Sequence, residues 1–171
     1  MPTFTLIASS TVGSGGAATI DFTSIPGTYT DLVVLLSGRN SVASVEASVS
    51  MQFNSSTSNY SSLWLRGNGA AASSGVNTYG TDEIYIGEVP ASTATSNTFG
   101  NASIYIPNYA GSTNKSVSVD MVSENNATTA WAYLTAGLWS DSSAISSIKL
   151  LFQSGNFVQH STAYLYGVSN A

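Results

Sequence analysis

A Ser-His-Asp triad needs a base that titrates near neutrality, and His160 is the chain's only histidine. It sits in Gly155-Asn156-Phe157-Val158-Gln159-His160-Ser161, which reads as a hairpin loop. No G-x-S-x-G elbow accompanies it, so an exposed turn residue is the favoured reading. Paired carboxylates hydrolyse glycosidic bonds, and Asp82-Glu83 with Glu88 is the closest cluster. Neighbouring strand residues point to opposite faces, so Asp82 and Glu83 are not expected to share a cleft. Glu83 is expected to face away from Ile84 and Ile86, or to sit at the rim, as a solvated strand start. Asp120, Glu124, Asn125 and Asn126 would surround a calcium ion only in a tightly folded turn; an Asx-rich turn is the simpler reading. Gly13-Ser14-Gly15-Gly16 has no lysine and no helix to follow, so it reads as a hairpin loop rather than a phosphate cradle. No catalytic residue, metal or cofactor is expected, and the chain is not expected to be an enzyme.

The remaining constellation suits adhesion. Tyr60, Trp64, Arg66 and Asn68 lie on one strand and the loop after it. By parity Tyr60, Ser62, Trp64 and Arg66 share a face, with Leu63 and Leu65 on the other. Three readings stay open for that face: core packing with Arg66 at the rim, a subunit interface, and a glycan platform.

The elements that must position these residues follow a period of two. Val45, Ala47, Val49, Met51 and Phe53 alternate with Glu46, Ser48, Ser50 and Gln52, a strand with one wet face. Val117, Val119 and Met121 alternate with Ser116, Ser118 and Asp120 in the same way. Ile104 and Ile106 flank Tyr105, and Ile84 and Ile86 flank Tyr85. Leu32-Val33-Val34-Leu35-Leu36 is apolar throughout and reads as a strand covered on both faces. Trp131 to Trp139 is Ala-rich, but Thr129, Thr135 and Gly137 favour a strand. Strands are expected at 3–8, 17–22, 31–38, 45–53, 60–66, 82–88, 99–106, 115–123, 129–139, 145–152 and 161–168, with loops at 67–81 and 89–98. Short strands at this spacing, separated by polar turns, predict an all-β chain: one antiparallel β-sandwich domain over residues 1–171, jelly-roll-like, with about 8–11 strands.

Composition narrows the function classes. Four basic and nine acidic residues give a net charge of −5, which argues against a nucleic-acid partner. Ser, Thr and Asn, at 62 of 171 residues, replace charge as the solvating surface. No apolar run approaches membrane-spanning length, and no secretory signal is expected at Met1-Pro2-Thr3. The absence of cysteine excludes disulfides, thiolate zinc sites and cysteine nucleophiles.

Longer motifs carry a resemblance. They are Ile7-Ala8-Ser9-Ser10-Thr11-Val12-Gly13-Ser14, then Ile20-Asp21-Phe22-Thr23-Ser24-Ile25-Pro26-Gly27-Thr28-Tyr29-Thr30-Asp31-Leu32-Val33, Phe53-Asn54, Asn59-Tyr60-Ser61-Ser62 and Gly67-Asn68-Gly69. Gly137-Leu138-Trp139, Ala144-Ile145-Ser146-Ser147-Ile148, Gly155-Asn156-Phe157 and Ser161-Thr162-Ala163-Tyr164-Leu165-Tyr166-Gly167 continue them. Together they resemble small virion-associated structural proteins of tailed bacteriophages. The resemblance covers most of the chain, but its motifs are turns and strand ends and carry no catalytic residue over. It implies a virion protein assembled in the bacterial host cytoplasm, in contact with other capsid or tail proteins. No separate attachment module is visible, which fits a capsid decoration or cement protein, with a homotrimer favoured at local threefold positions. The alternative is a receptor-binding adhesin domain of a tail or head fibre, binding host surface glycans through Tyr60 or Trp64.

Overall fold

The computed structural model describes residues 2–124 and 130–169, apart from the side chains of 77–81. Among them are twelve strands and no helix. In chain order they are β1 (Thr3–Thr11), β2 (Thr19–Phe22), β3 (Asp31–Gly38), β4 (Glu46–Phe53), β5 (Tyr60–Gly67) and β6 (Ala72–Thr81). There follow β7 (Ile84–Pro90), β8 (Gly100–Ile106), β9 (Lys115–Glu124), β10 (Ala130–Trp139), β11 (Ile148–Phe152) and β12 (Thr162–Ser169).

An eight-stranded sheet runs β1-β12-β3-β8-β9-β10-β5-β6, and a four-stranded sheet runs β2-β11-β4-β7. Setting aside β5, β6, β9 and β10 leaves β1-β12-β3-β8 facing β2-β11-β4-β7. Among those eight strands, this is the order first-eighth-third-sixth against second-seventh-fourth-fifth, the double Greek key of a jelly roll. The hairpins β5–β6 and β9–β10 are insertions that widen one sheet only. All pairings are antiparallel.

The alternating residues build the core as their parity demands. Val34, Leu36, Ile104, Ile106, Val117, Val119, Met121 and Leu165 of the large sheet are buried against Val49, Met51, Phe53, Ile84, Ile86 and Leu150 of the small one. At one end Tyr60 stacks on Trp139, centroids 6.0 Å apart, with Phe53 tilted against both. The Tyr60 hydroxyl accepts from the Phe53 amide at 2.8 Å and donates to the Phe53 carbonyl at 3.2 Å.

Several expectations are corrected. The segment 67–81 is not a loop: β6 occupies most of it, because β5 offers a backbone template that Ser- and Gly-rich sequence accepts without strand propensity. Neither Gly13–Gly16 nor Gly155–Ser161 closes a hairpin; each carries the chain from one sheet to the other. The 32–36 run is covered on both faces at Val33, which is buried, but not at Leu35 on the same outward face, 40% exposed. The supposed wet face of β4 is partly dry, with Ser50 and Gln52 buried; Gln52 Nε2 donates to the Asp82 carbonyl at 2.8 Å.

Candidate functional site

β7 is the edge of the small sheet and packs over β9 and β10. The β5–β6 pair lies beyond that edge, so the inner face of the large sheet overhangs there. An edge strand must satisfy its free backbone groups. Here the overhang does so: the Tyr85 amide donates to Ser62 Oγ at 3.3 Å, and Thr135 Oγ1 donates to the Ile86 carbonyl at 3.3 Å.

A cleft of about 340 Å³ opens in the angle. Ser48 and Ser50 of β4 and Tyr85 and Glu88 of β7 form one side, and Trp64 and Arg66 of β5 with Tyr133 of β10 form the other. Glu83 and Gln153 close one end. Tyr85 and Glu88 are three residues apart and would point to opposite faces of a regular strand. A bulge removes the conflict: Val49 pairs with Gly87 and Ser50 with Tyr85, leaving Ile86 as the extra residue. Gly87 takes φ 145°, and a Cβ there would meet Met121 Sδ at 2.6 Å, so both conformation and space require glycine.

β5 rises out of the core along its length. Tyr60 and Ser62 are buried, while Trp64 and Arg66 are half-buried in the cleft wall. Trp64 meets Tyr85 at 6.4 Å between centroids, tilted 59°. Its other neighbour is Gly75 of β6, where a Cβ would lie 2.4 Å from the indole. Arg66 lies over the Trp131 ring, Cζ 4.9 Å from the centroid, and Nη1 is 3.7 Å from Glu88 Oε2. The Tyr133 hydroxyl donates to the same oxygen at 2.5 Å. A hydrogen bond that Arg66 donates to the Tyr133 hydroxyl chiefly holds the guanidinium above its ordinary range. Burial, the main cause in each case, pushes the Tyr85 and Tyr133 hydroxyls well above theirs.

Glu46 reaches Glu88 across the β4–β7 register. Burial first, then the hydrogen bond to Glu88 and its charge, push the Glu46 carboxyl up to about 9; Arg66 opposes the shift. Glu46 is therefore held toward its protonated form at neutral pH.

Of the residues singled out from sequence, Trp64 and Arg66 come together in the cleft. Tyr60 does not: it is a core residue, 2% exposed, and offers no platform. Asn68 is a turn residue whose Oδ1 accepts from the Ala70 and Ala71 amides at 3.0 and 2.7 Å, joining β5 to β6. Glu83 does face away from Ile84 and Ile86 but is not solvated; it is 8% exposed, with Gln153 Nε2 at 3.4 Å from Oε1. His160 is exposed in another cleft beside Arg39 and Asn40. The Arg39 guanidinium there is committed to the carbonyls of Ala94, Thr95 and Thr98. Asn125 and Asn126 of the calcium reading lie outside the described residues, and no metal-holding cluster of His, Cys, Asp or Glu occurs among those described. Sequence reasoning missed Glu46, Tyr85, Tyr133 and Trp131. Only Gly87, an isolated glycine inside a strand pattern, signalled the bulge that gathers them.

Of the carboxylate cluster Asp82-Glu83 and Glu88, the cleft gathers Glu83 and Glu88. No family model matches the chain, and no curated protein or solved structure matches it either.

Proposed function

We propose that this chain is a non-enzymatic structural protein of a bacteriophage virion, a capsid decoration protein that docks on the shell through the outer face of its eight-stranded sheet. The sequence motifs that resemble small virion proteins support the setting. One observation carries the docking. All ten large apolar side chains that stand exposed among the described residues lie on that sheet: Phe4, Leu6, Leu35, Leu63, Leu65, Val76, Tyr105, Val122, Leu134 and Tyr164. Every one of the eight strands contributes at least one. The pairings line them up on the face away from the small sheet: Tyr164 opposes Leu35, Leu35 opposes Ser103, Ser103 opposes Asp120, Asp120 opposes Leu134, and Leu134 opposes Leu65.

The face carries two apolar groups, Phe4, Leu6, Leu35, Tyr105 and Tyr164 on one side and Leu63, Leu65, Val76, Val122 and Leu134 on the other, with Ser103, Ser118 and Asp120 between them. So many exposed apolar side chains on one face are uncommon on a free monomer and mark an interaction surface. Strand spacing and rise give the whole face about 35 by 25 Å, room for the ~800 Å² per partner of a stable interface. The 32–36 run, apolar on both sides, then has both faces covered once the sheet is docked. A homotrimer at local threefold positions of the shell is the assembly this reading favours.

The test uses empty capsids of the virion that encodes the chain. The purified protein binds them at a fixed stoichiometry, and its removal lowers the particles' resistance to heat. Leu35→Asp and Leu134→Asp abolish binding while the far-ultraviolet circular dichroism is unchanged. Particles that lose the protein and keep their stability, but no longer adsorb to cells, overturn the reading in favour of an adhesin.

A further inference from the structure

We propose that the cleft between β5, β7 and β10 is a lectin-type site for the end of a neutral oligosaccharide of hexose or N-acetylhexosamine units. The inference stands whether or not the large sheet docks on a capsid. Its ground is the convergence of three chemistries in one cavity. Trp64 and Tyr85 meet at 6.4 Å and 59°, an aromatic corner against which the C–H face of a pyranose ring packs. Glu88 supplies acceptors for sugar hydroxyls: a carboxylate has about four acceptor sites, and Tyr133 engages one of them. Arg66, Gln153 and the hydroxyls of Ser48 and Ser50 supply donors around the same space. At about 340 Å³ the cleft is near the small end of ligand sites, room for one or two rings.

The charge of the lining decides which sugars. Glu83 and Glu88 face the cavity with Arg66 as the one cation among its lining residues. A uronate, sialate or sulfate would meet two carboxylates, and Arg66 is already drawn toward Glu88 at 3.7 Å. Neutral rings avoid that repulsion.

The side chains are also held in place before any ligand arrives. Trp64 is seated on the bare backbone of Gly75, Arg66 lies over Trp131, and Glu88 is gripped by Tyr133. Preorganisation lowers the ordering cost that makes sugar binding weak.

The purified chain is screened on a glycan array, and its hits are titrated by tryptophan fluorescence with maltose, cellobiose, lactose and N,N′-diacetylchitobiose as soluble probes. At least one neutral glycan binds, and sialylated and sulfated counterparts bind less well. Trp64→Ala and Glu88→Gln each weaken binding by about tenfold or more, the loss expected when one anchoring contact is removed. Leu35→Asp, on the opposite face, leaves it within about twofold. Where Trp64→Ala perturbs the fold by circular dichroism, Tyr85→Ala takes its place. Absence of any neutral hit, tighter binding of the anionic glycans, or unchanged affinity in the cleft variants each overturns the proposal.

Discussion

Replacing Glu46 by Gln keeps a donor toward Glu88 and removes the ionisable proton. In the folded chain the Glu46 carboxyl is pushed from an ordinary value of 4.5 to about 9, first by burial and then by Glu88. A carboxyl whose folded value is raised gives its full contribution to stability below the unfolded value, and that contribution fades as pH climbs toward the folded one. The window here runs from about 4.5 to about 9. At pH 7 the unfolded carboxyl is ionised and the folded one protonated. At 1.36 kcal/mol per pH unit, the difference is about 3 kcal/mol as an upper bound. Glu46 is only half-buried, so screening by solvent reduces it to about 1–2 kcal/mol. Glu46→Gln is therefore expected to stabilise the protein by ~1–2 kcal/mol at pH 7, raising Tm by about 2–8 °C for a chain of this size. Near pH 4.5 the gain vanishes, and toward pH 9 it grows. Urea unfolding of both proteins at pH 5, 7 and 8.5 measures the difference directly and cancels the other titrating groups. A variant less stable than the parent at pH 7, or a difference that does not change across the three pH values, would show that Glu46 is ionised in the fold and refute the raised value.

Three further outcomes follow from single contacts. Tyr60→Phe keeps the stack on Trp139 but strands the buried Phe53 amide, so urea unfolding should show a loss of about 1–3 kcal/mol. Lys115 is 1% exposed, and its ammonium donates to the carbonyls of Gly111 and Thr113; burial lowers its pKa. Lys115→Met strands those carbonyls and should cost about 1–3 kcal/mol in the same assay, a neutral result meaning that water reaches them. Gly75→Ala places a methyl 2.4 Å from the Trp64 indole and drives the ring off β6. The near-ultraviolet circular dichroism and tryptophan emission should change while the far-ultraviolet spectrum does not, and an unchanged near-ultraviolet band would mean that Trp64 is not seated on Gly75.

What was legible in the sequence was whatever depends on residues near one another in the chain. The alternation at Val117, Val119 and Met121 is the buried face of β9, and Ile84 and Ile86 point to the core while Tyr85 does not. The Trp131–Trp139 segment is a strand despite its alanines. β6 escaped because Ala72, Ser73, Ser74 and Gly75 carry little strand preference of their own; β5 imposes the conformation from outside. The Glu46–Glu88 pair escaped for a similar reason. Its two halves meet only through the pairing of β4 with β7, and only after a bulge has reversed the parity of Glu88 relative to Tyr85. Parity rightly gave Tyr60, Ser62, Trp64 and Arg66 one face. It had no means of showing that the small sheet ends beneath Ser62, so that Tyr60 is core and Trp64 is cleft wall.

That ending of the small sheet explains why the inserted hairpins matter. A two-stranded ribbon is marginal in water unless one of its faces is packed. β5–β6 is joined to the large sheet by the pairing of β5 with β10, and with little of the small sheet beneath it, its inner face is held by particular side chains: Tyr60 in the aromatic cluster, the Ser62 hydroxyl on the Tyr85 amide, Trp64 against Tyr85, and Arg66 toward Glu88. The last two contacts also shape the cleft. Alternation then sends the intervening Leu63 and Leu65 outward, 49% and 54% exposed, onto the opposite surface. Within one strand, the residues that hold the ribbon down make the cavity, and those between them extend the apolar face. The insertion thus gives the jelly roll a cleft that its eight basic strands would not supply and extends the apolar face those strands begin, from a single alternating run of sequence.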